Sequence, residues 1–371
     1  KLARAHIIIT SYALVANDVD ILGAIDYSML VLDEAQWIKN PLTQTAQAVR
    51  QLRAAHRLAV TGTPLENHLG ELWAHFDAVL PGYLGDYRSF NRSFRQPIEQ
   101  NEDDARKLTL RQRIGPFLLR RTKAAVAPEL PPKTETVLRV AMGERQRRLY
   151  ESLRLAQNER VREAVASYSH EQSRIVVLSA LLRLRQVCCD PRLVESLNDP
   201  PESAKLEALL ELVESLRDEG RQVLVFSQFT SMLELITKAL DGMNLKHTTL
   251  TGETTNRAAP VRDFQSGDCP ILLASLKAGG VGLNLTAADA VIHYDPWWNP
   301  AVETQAVDRA HRIGREHPVF VYKLICDDTI EEKIEAMKDQ KSDLAGTVLN
   351  DSDTPLSRLN GDDLRALFDL T

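Results

Sequence analysis

Residues 29–39, MLVLDEAQWIK, set four apolar residues directly against two carboxylates, Asp33 and Glu34. An unbroken apolar run of strand length reads as a buried strand of a parallel sheet, and its abrupt polar end as the carboxyl edge, where such sheets carry their sites. A carboxylate there suits a Mg²⁺ ligand, and a neighbouring one suits the orientation of a water for phosphoryl transfer. The plain alternative is a solvated Asp-Glu pair at a strand exit. Short motifs match by chance, so the rest of the chain decides between them.

Further strands are expected at residues 6–10, 57–61, 134–140, 222–226, 271–275 and 290–294, the first and second as buried inner strands. Helices are expected over 43–53, from Thr63-Pro64 through Leu80, and over 204–219 with Gly220 ending the run. Helix and strand alternate in the second half, which predicts a doubly wound parallel sheet. Between the two α/β parts, residues 83–195 read as long Arg-rich helices interrupted by a PELPPK linker. The expected division is 1–82, 83–195, 196–328 and 329–371.

With 371 residues, 44% hydrophobic and 26% charged, the composition is that of a globular chain with two or three cored domains. No apolar run approaches the length of a membrane span, and no secretory leader is visible, so a cytosolic or nuclear setting is expected. Four cysteines without a CxxC pair offer neither a zinc nor a redox site. The net charge of −6 hides a local reversal: residues 106–154 hold 13 Lys or Arg against four Glu, and residues 327–371 hold 12 acidic residues against five basic. A basic middle suits a polyanion; a solvated helix surface explains it equally simply.

Three later features point to phosphates. Thr61, Gly62 and Thr63 lie at another strand end, as turn and helix cap or as a relay of phosphate state. Gly279, Gly280 and Gly282 follow strand 271–275 and permit close backbone approach. Gln305, Arg309 and Arg312 are spaced by four and three, which on a helix puts them on one face, with Gly314 as the expected stop. Ion pairs on a surface helix are the alternative.

Taken in order, DEAQ, TGTP, PFLLRRTK, VLVFSQFT, LKAGGVGLNLTAADAVIHYDPWWNP and QAVDRAHRIGR resemble the motifs of the Swi/Snf-related ATPases of superfamily 2. The resemblance runs from about Ala5 to Leu344. It implies an α/β fold of two RecA-like doubly wound lobes, the first incomplete here, with helical insertions. It implies ATP and Mg²⁺ as ligands, double-stranded DNA as partner and a DNA-bound protein as the remodelled target. By motif, Asp33 would bind the metal, Glu34 would activate water, Gln36 would sense the γ-phosphate, and Arg309 and Arg312 would approach the phosphates. Thr61, Gly62, Thr63, Gly280, Gly282 and Gln305 would bind or couple the nucleotide. Thr10, Ser11, Tyr12, Gln228, Gly252, Ser275, Lys277 and Gly279 would meet the DNA backbone. Residues 333–344 resemble the bracing helix, and the setting would be the bacterial nucleoid or a nucleus.

One motif is missing: the 371 residues contain no Gly-Lys pair, hence no GxxxxGK[ST] phosphate loop. Arg315 also stands where many relatives have Gln. The numbering is therefore expected to begin inside the first lobe, leaving an exposed edge near Ile7 and Ile9 and a chain without ATPase activity by itself. Two other functions remain open at this level, a non-hydrolysing DNA-binding or regulatory module and a strand-separating helicase.

Overall fold

The computed structural model describes the chain up to Lys338, except residues 1, 3–4, 63–67, 102, 122, 168–169, 195–198 and 280–282; residues 339–371 also lie outside it. The chain forms two compact units, Lys1–Arg120 and Arg121–Gln340. Among the described residues no helix is long and apolar enough to cross a membrane.

In the first unit, β1 (Asp26–Leu32) and β2 (Arg53–Ala59) pair in parallel, with Val31 opposite Leu58 and Leu32 opposite Ala59. Helix Gln44–Gln51 connects them, its first turn capped by Thr43, whose hydroxyl accepts from Ala46 N at 3.3 Å. Directly opposed residues of parallel strands share a face. Leu30, Leu32 and Ala59 pack on a core of Val15, Leu22, Ala46 and Val49. Met29, Val31 and Leu58, on the other face, are 57%, 52% and 49% exposed. The buried strand expected at 29–32 and the inner strand expected at 57–61 therefore exist, within β1 and β2, but only one of their faces is covered. Residues 6–10 form no strand, and Ile7 and Ile9 are 80% and 92% exposed. An apolar run becomes a strand only where a neighbour takes its backbone hydrogen bonds.

Helix Leu69–Val79 starts behind His68, so the expected start at Thr63-Pro64 lies outside the described residues. Its Leu72, Trp73 and Phe76 gather Phe90, Leu110 and Ile114 from the following helices into a second small core.

The second unit holds a six-stranded sheet, all parallel: β3 (Lys133–Val140), β4 (Val223–Ser227), β5 (His247–Leu250), β6 (Ile271–Ser275), β7 (Ala290–His293) and β8 (Val319–Cys326). Their spatial order is β3-β8-β7-β4-β6-β5. Every residue of β4, β6 and β7 is buried, because apolar layers cover both sheet faces. Helices Glu144–Ser167 and His170–Cys189 pair beside the sheet, and their core takes in Cys326, Ile330 and Ile334. The expected helical stretch 83–195 is thus shared between the units, with β3 as an edge strand of the second. From β4 the chain leaves towards β6 and β5, and from β7 towards β8, so the crevice between the carboxyl ends of β4 and β7 is the topological switch point.

Candidate active site

The parallel pairing of β1 and β2 brings their carboxyl ends side by side, locked by Val60 N to Leu32 O at 2.8 Å and Ala35 N to Val60 O at 2.9 Å. At this edge Glu34 has φ 49° and ψ 52°, a left-handed conformation uncommon outside glycine. The turn puts Asp33 Oδ1 3.0 Å from Glu34 N, which donates to it. Gln36 Nε2 donates to Glu34 Oε2 at 2.8 Å, and Thr61 Oγ1 donates to Gln36 Oε1 at 2.8 Å. A chain of side chains therefore runs from the end of β2 to the second carboxylate at the end of β1. Gln36 is a relay in it, with its amide orientation set from one side by Thr61 and used on the other to aim Glu34. Asp33 is exposed.

Tyr12 and Ser11, read as DNA contacts, have local duties. The Tyr12 hydroxyl donates to Asp33 O at 2.8 Å, and Ser11 Oγ accepts from Leu14 N at 3.4 Å as the cap of helix Tyr12–Asn17. Burial, then the nearby Asp33 and Glu34 charges, push the Tyr12 phenol up to about 12, which keeps it a donor. Thr10 is exposed. Below the turn lie a Lys39–Glu71 ion pair at 3.6 Å and a buried His75, which the sequence reading missed.

In the second unit, Ser275 ends β6 opposite Ser227 of β4, and its Oγ accepts from Ala278 N at 3.3 Å. Lys277 and Gly279 lie in the short helix Leu276–Gly279 that follows; Gly280 and Gly282 lie outside the described residues, as does Thr63. Gly252 sits in an exposed turn after β5. Gln228 is committed to a buried cluster at the switch point. Its Nε2 donates to Asp295 Oδ2 at 2.6 Å, while Ser227 Oγ donates to Asp295 Oδ1 at 2.6 Å. Arg185 Nη1 donates to Gln228 Oε1 at 3.0 Å and Nη2 donates to Pro296 O, with the guanidinium 5.1 Å from the Trp298 ring centroid. Arg185 and Asp295 are both buried.

The expected arginine helix is corrected. Helix Pro300–Val307, opened by Asn299 with Pro300 at its first position, stops at Asp308. Gln305 is on its last turn; buried Arg309 and exposed Arg312 lie beyond it, so the three do not share a helix face. Tertiary bonds hold the turn beyond the helix: Leu285 N donates to Arg309 O at 3.0 Å, and Lys123 Nζ reaches both Asp308 Oδ1 at 2.5 Å and His311 O at 2.6 Å. Gly314, expected as the stop, takes its positive φ of 95° seven residues later. Arg315 is held by Asp289 at 3.0 Å and by Thr286 O, a structural use for the departure from the family pattern.

The SNF2-related domain profile matches residues 1–193, and the helicase conserved C-terminal domain profile matches 204–314. The chain belongs to the SNF2 family. Its α/β fold is the RecA-like one of that family's ATPase cores. YwqA of Bacillus subtilis is 40% identical over 99% of the chain and 40% of its own length. The ISWI chromatin-remodeling complex ATPase ISW1 of Saccharomyces cerevisiae is 33% identical over 95% of the chain and 32% of its length. The Sulfolobus solfataricus SWI2/SNF2 ATPase core in complex with dsDNA matches with a TM-score of 0.53 and 34% identity, covering 100% of this chain and 79% of that one. The chain spans about two fifths or less of the curated relatives cited here.

Proposed function

We propose that the protein carrying this SNF2-family core moves along double-stranded DNA at the expense of ATP and displaces or remodels proteins bound there, without separating the strands. The observation that supports it best is the Thr61–Gln36–Glu34 chain beside exposed Asp33 at adjoining strand ends. In this reading Asp33 holds Mg²⁺ and Glu34 orients the attacking water, its direction set through Gln36 by Thr61. The ion, when bound, neutralises charge developing on the transferred phosphoryl group. Arg309 and Arg312 of the second unit act on the same triphosphate, with Thr63, Gly280, Gly282 and Gln305 in supporting roles. Catalysis of this kind is mostly positioning and charge neutralisation, and an arginine directed at the phosphates contributes roughly 10³ to 10⁵ in rate.

Ser275, Lys277, Gly279, Gly252, Thr10 and the basic residues 106–154 would contact DNA phosphates. The Gln228 side chain is already committed to Asp295 and Arg185, so it acts in this reading by shaping the strand end. The setting in this reading is the nucleoid of a bacterial cytoplasm, or a nucleus.

The deciding experiment uses the full-length gene product. Glu34→Gln should keep ATP and DNA binding and lose DNA-stimulated phosphate release, since the metal ligand stays and the orienting carboxylate goes. Parental turnover in that variant would remove Glu34 from its role, whereas no DNA-stimulated phosphate release from the parent itself would leave the module without hydrolysis as the better reading.

A further inference from the structure

We propose that Lys123 is a positioning residue for the Arg309–Arg312 turn, so that the segment entering the second unit sets the geometry of its phosphate-facing arginines. The inference rests on the reading of those two arginines given above.

Helix Pro300–Val307 passes its last carbonyls to the turn that follows, with Asp308 N on Thr304 O at 2.8 Å and His311 N on Val307 O at 2.9 Å, and its end carries the negative pole of its dipole, where an ammonium group is favoured. No cation within the helix's last turn supplies one. Lys123, 185 positions earlier, does: its Nζ lies 2.5 Å from Asp308 Oδ1 and 2.6 Å from His311 O. These two contacts bracket Arg309 and Ala310, and Arg312 leaves the second of them. The segment after Lys123 adds another hold, since His311 Nε2 lies 2.7 Å from Pro131 O. The far side of the turn is fixed by Leu285 N on Arg309 O, which joins it to the loop following the glycines.

The turn is therefore clamped on one side by residues 123–131 and on the other by Leu285. These contacts hold the backbone from which the two guanidinium groups extend. A side chain that enforces such a geometry contributes to rate without touching substrate; displacements of about 1 Å at a reacting group cost up to roughly 100-fold. The Lys123 and Asp308 side chains are 37% and 38% exposed, so the pair contributes little to global stability and its loss is read in turnover.

The test uses the full-length protein, with DNA-stimulated phosphate release, ATP affinity and thermal melting measured on each variant. Lys123→Met should lower kcat about 10- to 100-fold, leave KM for ATP within about threefold, and leave the melting temperature unchanged. Lys123→Arg should recover part of the rate. A double-mutant cycle then separates positioning from an independent effect: in an Arg312→Ala background, Lys123→Met should produce little further loss. Parental kcat in Lys123→Met, or a loss of equal factor in both backgrounds, overturns the proposal. Should Lys123→Met melt early, Lys123→Gln replaces it in the same cycle with the same criteria. Parental turnover in Arg309→Ala and Arg312→Ala would instead refute the underlying reading of the arginines, a result distinguishable from failure at Lys123.

Discussion

Lys205, in the first turn of helix Ala204–Asp218, and Glu331, in the helix over 330–338, form an ion pair with neither side chain exposed to solvent. Lys205 Nζ also donates to Leu324 O at 3.1 Å, and Glu331 Oε2 accepts from Cys326 N at 3.0 Å. The pair thus joins a helix, the end of β8 and the helix after it.

Removing one partner strands a buried charge, so Lys205→Met or Glu331→Leu alone should destabilise the second unit by about 3–5 kcal/mol. The double variant should regain most of that loss, because an apolar pair needs no compensation. Urea denaturation of the three variants and the parent measures this; a double variant as unstable as the sum of the singles would contradict it.

His293, buried at the end of β7 with its ring 5.7 Å from that of Phe226, is depressed to about 4 by burial, with Glu303 opposing and Lys323 and Lys338 assisting; Glu135 also faces it. Its folded pKa lies below the unfolded value of about 6.5, so the unfolded chain takes the proton first. Its contribution is intact above pH 6.5 and is lost as pH falls toward 4, about 2 kcal/mol between pH 7 and pH 5. His75 in the first unit, also lowered to about 4 by burial, acts in the same direction. Unfolding midpoints of the second unit at the two pH values should differ more in the parent than in His293→Phe; equal differences would show that His293 does not carry the effect.

The 371-residue chain by itself should unfold in two steps, the first unit before the second. One face of the β1–β2 pair is bare while β4, β6 and β7 are covered on both. Calorimetry with hydrogen exchange assigns the transitions. The same preparation should release no phosphate above an Arg309→Ala control, for want of a GxxxxGK[ST] loop. DNA-stimulated release in the parent alone would mean that another segment cradles the phosphates.

Binding of the full-length protein to duplex DNA should be insensitive to sequence and should weaken with salt by about 0.9 log unit in K per log unit of salt for each phosphate neutralised. Lys277→Ala should lower that slope by close to one contact. A flat salt profile or a strong sequence preference would speak against backbone recognition.

Four of the six strands of the second sheet were legible, β4, β6 and β7 because they are apolar up to their last residue and bordered by turn residues; β5 and β8 were not read from the sequence. β1 has the same signature and yet is half bare, because an apolar run reports what a strand is suited to and not how many neighbours it has. Asp33, Glu34, Gln36 and Thr61 were named through the family's motifs, and the structure hydrogen-bonds Thr61 to Gln36 and Gln36 to Glu34. Arg309 and Arg312 were placed on a helix because spacing describes local order. The turn that follows the helix is held by Lys123, a residue too distant for any local pattern to report. Arg185 went unnoticed for the same reason, its partners lying 43 and 111 positions away.

The guanidinium of Arg185 fills the switch-point crevice between β4 and β7, the place where folds of this type ordinarily admit a ligand. That crevice is therefore a lock whose key is part of the chain. Trimming the side chain in Arg185→Ala would leave a vacancy of the size, flatness and charge of a free guanidinium ion, lined by Gln228, Asp295, Pro296 O and Trp298. A small cation added at millimolar concentration and washed away again would then act as an external dial on an internal strut.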